Sequence, residues 1–360
     1  MKTAKVFLVC GSGGVGKTTV SAALGLALAK QGYAVVVVTV DPAKRLATAL
    51  GIGEIGDDPK PVPVKAAGSL LAMMLDTKRT FDRLIEKHAP TKTQCDRILN
   101  NVLYRKMSDM MAGTQEYMAM ERLYELYAQG KYDAIVVDTP PMQHALDFLE
   151  APQRMMRMLN NSMLQLLLKP AMAVGKKGLK FFEKGSRTIL KVFDKITGFD
   201  FLQDLSEMAL AFQDLLAGFE ERANQVNTLF KNPECQFLAV CTTTANSVSE
   251  TELFAGQLRN YGYALSSIIV NRVYSGKVPS AEALVADKLA LKRCLGAEGA
   301  EVVAQNFYNY VPLIRRDKKA IQRMTTLVKE TVLSVPLFEA DVHDLESLER
   351  IAERLTALTQ

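Results

Sequence analysis

The chain has 360 residues, of which 48% are hydrophobic and 23% are charged, a composition ordinary for a globular protein. It excludes a disordered chain, which would bury too little apolar surface to offset the entropy lost on ordering. The net charge of +5 is too small to indicate nucleic-acid binding, and no apolar run approaches the ~20 residues of a membrane-spanning helix.

The N-terminal segment is predicted to form a βαβ unit. Residues 4–10 are an apolar run that ends in glycines, which is typical of a buried strand in a parallel sheet. An Ala- and Leu-rich helix is predicted from about Lys17 to Gln31. Five valines between Ala34 and Val40 predict the next strand. A strand, glycine loop, helix and strand in this order almost always cross over with a right hand.

The rest of the chain alternates between helical and strand-like blocks. Prolines 59, 61 and 63 predict a connecting segment, and the pattern of residues 302–311 is ambiguous. Helical patterns occupy about Lys78–Gln129, residues 143–230 and the tail Asp344–Leu358, and strand patterns occupy Tyr132–Asp138, Gln236–Cys241, Ala264–Asn271 and Val332–Phe338. We therefore predict an α/β domain with a mainly parallel sheet and an inserted α-helical subdomain. The predicted core comprises residues 1–77, 131–142 and 231–360, and the two insertions comprise residues 78–130 and 143–230.

The loop between the first strand and the first helix has the sequence of a phosphate-binding loop. Glycines let main-chain N–H groups curl around a polyphosphate, and the dipole of the following helix favours the anion. Lys17 can reach the β- and γ-phosphates, and the Thr18 hydroxyl can ligate Mg²⁺. A glycine-rich turn followed by a chance Lys-Thr pair is the alternative. The motif G-x-x-x-x-G-K-[ST] predicts binding of ATP and Mg²⁺ by this loop and the next residue: Gly11, Ser12, Gly13, Gly14, Val15, Gly16, Lys17, Thr18 and Thr19.

Two carboxylates follow strands at the edge where such a site would lie. Asp41 ends the second predicted strand and Asp138 ends the third, and ligands of open α/β sheets bind beyond the carboxyl ends of the strands. Asp138 fits the Walker B aspartate that holds Mg²⁺ directly or through water. Asp41 could orient and deprotonate an attacking water. Each aspartate could instead be a helix N-cap.

These motifs together resemble the ArsA-type ATPases. This family contains arsenite-pump ATPases and the targeting ATPases for tail-anchored membrane proteins, and it belongs to the deviant-Walker-A class with MinD, ParA and the nitrogenase iron protein. The chain is most similar to a bacterial ArsA-like branch. Besides the glycine loop, the resemblance extends over Val40-Asp41-Pro42-Ala43, Ala112–Tyr117, Asp138-Thr139-Pro140-Pro141 with His144, Thr242–Glu250, Val270-Asn271-Arg272 and Val335-Pro336-Leu337.

The resemblance implies a P-loop ATPase that hydrolyses ATP to ADP and phosphate. It implies that Asp41 is the switch I carboxylate acting on water and that Asp138 is the switch II carboxylate near Mg²⁺. Asn271 would contact adenine, and Pro336 would lie in the last loop on the nucleotide side. The family resemblance further implies a homodimer that ATP closes and hydrolysis opens.

One residue departs from the family pattern. The signature lysine of the family, which reaches the phosphates of the partner subunit, is replaced here by Ser12. A second positive charge at the transferring phosphoryl group can be worth ~10³-fold in rate. Hydrolysis is therefore slow, or another cation substitutes. Lys44 and Arg45 are candidates, although both could equally be exposed helix residues.

The predicted helical subdomain is rich in methionine. Eleven of the 16 methionines fall between Met107 and Met172. Methionine is flexible and polarizable and suits surfaces that adapt to varied apolar partners, but a methionine-rich core is the alternative. The resemblance to targeting ATPases favours an apolar groove for a client, such as a membrane-protein segment.

A basic stripe follows the methionine-rich segment. Lysines and arginines recur every three or four residues between Lys177 and Lys195. Such a helix could contact a membrane transiently, or it could be an ordinary solvated face. A membrane- or DNA-associated positioning ATPase is therefore an alternative function, although no nucleic acid is expected as a partner. A metabolic P-loop kinase is a third, disfavoured by the switch segments.

The cysteines bear on location and on metal chemistry. Cys10, Cys95, Cys235, Cys241 and Cys294 show no paired spacing and no C-x-x-C motif. This pattern disfavours disulfides and structural zinc and predicts a reducing cytoplasm. An arsenite pump needs several soft thiolates close together, and only Cys95 falls in the helical insertions, so this alternative is disfavoured as well.

Overall fold

The structure is a computed structural model. Its described residues are 6–41, 45–88, 91–100, 114–142, 150, 221–263, 265–276, 281–327, 331–339, 342 and 344–358. The chain divides into two compact units. One comprises Met1–Met74, Tyr132–Gln143 and Pro233–Gln360, and the other comprises Leu75–Lys131 and His144–Asn232.

The first unit is built on an eight-stranded sheet. Its strands are β1 Val6–Gly11, β2 Ala34–Thr39, β3 Lys60–Pro61, β4 Ser69–Met74, β5 Ala134–Asp138, β6 Cys235–Cys241, β7 Leu265–Val273 and β8 Thr331–Pro336. The spatial order is β3-β4-β2-β5-β1-β6-β7-β8, and every pair is parallel except β3 with β4. The predicted α/β fold with a mainly parallel sheet is thus confirmed.

Helix α1, Lys17–Lys30, covers the centre of this sheet. Its Ala- and Leu-rich sequence is buried from Val20 to Ala29, because it packs against β2, β5 and the C-terminal helix. Gly25 permits the close approach to β2, since a Cβ there would lie 2.4 Å from Val37 Cγ2. This packing fixes the first turn of α1 at the carboxyl edge of β1.

The remaining helices of the first unit follow the strands. They are α2 Arg45–Ala49, α6 Ala245–Asn260, α7 Ala281–Thr325 and α8 Leu345–Leu355, followed by a 3-10 turn at Thr356–Leu358. Helix α7 is two helical arms joined at Gly296, where φ is 75° and the path is not helical. At the start of α8, Asp344 Oδ1 accepts a hydrogen bond from Ser347 N at 2.7 Å, as an N-cap does.

The described part of the second unit is helical. It contains α3 Thr77–His88, α4 Lys92–Asn100 and α5 Thr114–Ala128, and residues 221–231 are also helical. Helices α3 and α5 pack together, and Arg222 Nε lies 2.6 Å from Glu121 Oε1. Across the described residues of both units, no helix combines the length and the apolar character that crossing a membrane requires.

Two segments differ from the sequence-based expectation. Strand β4 was not predicted, because Leu, Ala and Met in its sequence do not carry the β-branched signal of β2. Residues 302–311, whose sequence pattern is ambiguous, lie in the second arm of α7. Their exposed apolar side chains obscure the helical period there.

Candidate functional site

The glycine-rich loop lies at the carboxyl end of β1, beside the end of β6 and within contact of Asn271 of β7. Gly14 and Gly16 have positive φ values of 78° and 94°. A Cβ on Gly16 would lie 2.4 Å from Asn271 Nδ2, and a Cβ on Gly11 would lie 2.4 Å from Val240 O. The loop therefore needs glycine at Gly14 for its backbone conformation, at Gly11 for space and at Gly16 for both.

Lys17 and Thr18 occupy the first turn of α1, and Thr19 follows half-buried. Lys17 Nζ donates a hydrogen bond to Ser12 O at 3.0 Å, so its ammonium group lies over the loop. Burial lowers the pKa of Lys17 from its ordinary value, while the nearby negative charges of Asp138 and Asp41 act in the opposite direction. The cation is held where a bound polyphosphate would lie against the loop.

Asp138 ends β5 and faces the first turn of α1. Its Oδ2 accepts hydrogen bonds from Thr18 Oγ1 at 2.7 Å and from Thr39 Oγ1 at 3.0 Å. Thr39 can do this because it is the register partner of Asp138 in the neighbouring strand β2. Burial raises the pKa of Asp138 to about 6, and the two hydroxyl donors reduce this shift.

The other oxygen of this carboxylate is the feature that fits a metal ion. Asp138 Oδ1 is buried and has no hydrogen-bond partner among the described residues. A buried carboxylate oxygen without a partner costs free energy, and a hard cation such as Mg²⁺ prefers such oxygen ligands. Together with the Thr18 hydroxyl, Asp138 is therefore a suitable donor set for Mg²⁺.

Asp41 lies just beyond β2 at the same edge of the sheet. Its backbone N–H donates to Thr39 Oγ1 at 3.2 Å, and its Oδ2 lies 3.4 Å from Arg45 Nη1. The Asp41 side chain is half-buried, whereas 70% of the Arg45 side chain is exposed. The residues between them, 42–44, lie outside the described part of the chain, and with them the candidate cation Lys44.

Ser12 stands where the family has a lysine, and a carboxylate lies beside it. The Ser12 hydroxyl donates a hydrogen bond to Glu250 Oε2 in the second turn of α6. Sequence reasoning missed Glu250, because its only signal is its place in the Thr242–Glu250 segment. Thr39 was also missed, although a hydroxyl in a run of valines two residues before Asp41 is a usable signal.

Asn271 lies between the glycine loop and the turn after β7. Its Nδ2 donates to Val15 O at 2.8 Å, and its Oδ1 accepts from Arg272 N at 2.9 Å. Pro336 ends the neighbouring strand β8, opposite Val273. The structure thus brings Asn271 next to the glycine loop and places Pro336 at the same edge of the sheet.

The cysteines are mostly buried. Cys10, Cys95, Cys235 and Cys241 are buried, whereas Cys294 is exposed. Burial raises the pKa of Cys10 and of Cys241 to about 12, so both thiols are protonated near neutral pH. Among the described residues, no three or more His, Cys, Asp or Glu side chains are grouped so that they could hold a metal ion.

Several sequence-based predictions fall outside the described residues. These are His144, most of the methionine-rich segment between Met107 and Met172, and the basic stripe from Lys177 to Lys195. Of the eleven methionines in that segment, the described Met118, Met120 and Met142 are buried.

Comparison with known proteins identifies the family of the chain. The family model described as anion-transporting ATPase matches residues 4–329. Among similar proteins, the ATPase get3 of Schizosaccharomyces pombe is 28% identical over 276 residues, which cover 75% of this chain and 73% of that protein. The ATPase GET3 of Malassezia globosa is 26% identical over 276 residues, with 76% and 73% of the two chains covered.

Proposed function

The chain belongs to the anion-transporting ATPase family, and from this premise we propose that the ATP it hydrolyses switches a homodimer that binds an apolar client, such as a membrane-protein segment. The hydrogen bond between Thr18 and Asp138, which joins the phosphate loop to the neighbouring strand β5, carries the nucleotide-binding part of the proposal. The dimer and the apolar client rest on the family resemblance. The loop, Lys17 and Asp41 lie at the same edge of the sheet. The cysteine usage supports a cytoplasmic location.

Each group in this proposal has a task. Main-chain N–H groups of the loop and the Lys17 ammonium bind the β- and γ-phosphates. Thr18 and Asp138 would hold Mg²⁺, whose charge would offset the negative charge of the phosphate oxygens. Asp41 orients the attacking water and accepts its proton. Asn271 and the Pro336 loop contact adenine, with Asn271 already fixed against Val15 O.

The Ser12–Glu250 contact bears on the rate of hydrolysis. Glu250 adds a negative charge beside the phosphate loop, whereas the signature lysine of the family would add a positive charge there. Among the described residues near Asp41, Arg45 supplies a positive charge, but it is ion-paired and largely exposed. We expect slow turnover in the isolated protein and a long-lived ATP-bound state, which suits a switch that must hold a client.

Sedimentation with and without nucleotide tests the switch. We expect a dimer with Mg²⁺ and a non-hydrolysable ATP analogue, and a shift toward monomer or a looser dimer with ADP. A fluorescent 20-residue Leu/Ala peptide with lysines at its ends serves as the client probe, with a Ser/Ala peptide as its control. Retention of the apolar peptide only in the ATP-like state supports the proposal. An unchanged oligomeric state and equal retention of both peptides would contradict it.

Replacing Thr18 with alanine is expected to lower the apparent affinity for Mg²⁺ in the presence of ATP at least ~10-fold. The change removes the hydroxyl ligand and one of the two donors that orient Asp138. Two calorimetric titrations of the protein with ATP, one in Mg²⁺ and one in EDTA, isolate this effect. Binding in EDTA depends mainly on the loop and Lys17.

The matched control is Ser21→Ala on the next turn of α1. The Ser21 hydroxyl is buried and has no hydrogen-bond partner among the described residues, so its removal should leave nucleotide binding unchanged. If Thr18→Ala retains the full gain in ATP affinity that Mg²⁺ produces, the metal assignment is wrong.

A further inference from the structure

Two adjacent side chains of α7 connect the loops on the adenine side of the proposed site. Asp317 Oδ2 accepts a hydrogen bond from Tyr274 N at 2.8 Å, three residues after Asn271. Arg316 donates to Asp317 Oδ1 from Nε at 3.0 Å and from Nη2 at 2.8 Å. Its Nη2 also lies 3.2 Å from Thr243 Oγ1, in the loop after β6.

Asp317 is the buried member of this pair, whereas the Arg316 side chain is 47% exposed. Because Asp317 is 0% exposed, its charge depends on the two guanidinium N–H groups that reach Oδ1 and on the Tyr274 N–H at Oδ2. Removing one partner of a buried, hydrogen-bonded carboxylate is strongly unfavourable, because the remaining charge is left uncompensated. The loops after β6 and β7 are therefore held against α7 by one charged network.

The end of β7, just before the turn that Asp317 contacts, has an unusual backbone conformation. Arg272 has a φ of 57°, the only positive φ of a non-glycine residue in the described chain. A residue with a Cβ adopts this region only when its surroundings hold it there. Two hydrogen bonds hold the backbone here. The Arg272 N–H donates to Asn271 Oδ1, and the Tyr274 N–H, two residues later, donates to Asp317 Oδ2.

We propose that Arg316 and Asp317 are positioning residues for adenine recognition, which hold Asn271 and the turn after it in the conformation that receives the base. The inference rests on the proposed function, because it takes Asn271 as a residue that contacts adenine. The hydrogen bonds of the network join α7 to the loops after β6 and β7. The phosphate loop, Lys17, Thr18 and Asp138 make none of the hydrogen bonds that define it.

Comparing a ligand that has a base with one that lacks it tests this assignment. Arg316→Gln removes the guanidinium charge, and Asp317→Asn keeps an acceptor for Tyr274 but loses the charge pair. For each variant, binding of Mg²⁺ with a non-hydrolysable ATP analogue and binding of Mg²⁺ with inorganic tripolyphosphate are measured by calorimetry. We expect Arg316→Gln to weaken binding of the ATP analogue about tenfold, with tripolyphosphate binding unchanged. The KM for ATP should rise while kcat changes less than about twofold.

Arg323→Gln is the matched control on the same helix. Arg323 pairs with Glu252 of α6, with Nη2 and Oε2 at 2.6 Å, but it does not contact the loops after β6 and β7 through any described hydrogen bond. We expect it to bind both ligands like the wild type. An equal loss for both ligands would reduce the network to a general structural role, and no loss for either would remove it from nucleotide binding. Both results overturn the proposal. Failure of the wild type to bind either ligand would instead overturn the proposed function.

Discussion

Replacing Lys17 with alanine is expected to weaken Mg·ATP binding at least ~100-fold, since charge-assisted hydrogen bonds to phosphate contribute up to ~3 kcal/mol and each ~1.4 kcal/mol is tenfold in affinity. Lys17 is the one residue of the loop that brings a full positive charge to the phosphates, and it already lies over the loop through its contact with Ser12 O. Titration with a fluorescent ATP analogue, at protein concentrations up to the high micromolar range, measures the loss.

Lys30→Ala is the matched control at the other end of the same helix. Lys30 forms an ion pair with Glu349 at 3.0 Å on the surface, where such pairs contribute little to stability. We expect it to bind ATP like the wild type. An unchanged dissociation constant in Lys17→Ala, with both variants folded by circular dichroism, would remove the basis for assigning the phosphate site.

The sheet order explains why these residues meet. Strand β1 lies between β5 and β6, and the chain proceeds from β1 outward to β2 on one side and to β6, β7 and β8 on the other. This reversal creates a crevice beyond the carboxyl ends of the central strands. Asp138 at the end of β5 and Asn271 near the end of β7 therefore face the loop from its two sides.

The sequence predicted the local parts of the site better than its long-range pairs. Gly11–Thr18 is a contiguous motif, and the parallel strands predicted that Asp41 and Asp138 would lie at the same edge. The hydrogen bond from Ser12 to Glu250 joins residues 238 positions apart, and its existence depends on β6 being the neighbour of β1. No periodicity or motif encodes that neighbour relation, so the group beside Ser12 could not be identified beforehand.

The burial of Asp317 could not be predicted from the sequence either. In the sequence, Asp317 is one acidic residue among Arg315, Arg316, Lys318 and Lys319, a pattern typical of a solvated helix face. In the structure it is completely buried, because the arm of α7 packs against the turn after β7. Burial of a charge inside a basic run depends on tertiary packing, which helical periodicity does not report.

Asp41→Asn is expected to slow ATP hydrolysis at least ~10²-fold while changing ATP affinity less than about threefold, as for loss of a group that orients and deprotonates water. The amide keeps the size of the side chain, and the backbone contact with Thr39 does not involve the carboxylate. Single-turnover hydrolysis of radiolabelled ATP separates the chemical step from product release. Undiminished turnover, or a loss of affinity as large as the loss of rate, would refute this role.

Two further variants separate the carboxylate from its ion pair. Arg45→Gln leaves Asp41 in place but removes its partner, so it reports how much of the rate depends on that cation. Asp82→Asn changes a carboxylate in a comparable i,i+4 pair with Lys78 on the surface of α3, and it should leave turnover unchanged. Because Ser12 brings no positive charge to the phosphates, we expect water activation by Asp41 to carry a larger share of catalysis here than in a family member with the signature lysine. The rate lost in Asp41→Asn should therefore exceed the rate lost in Arg45→Gln.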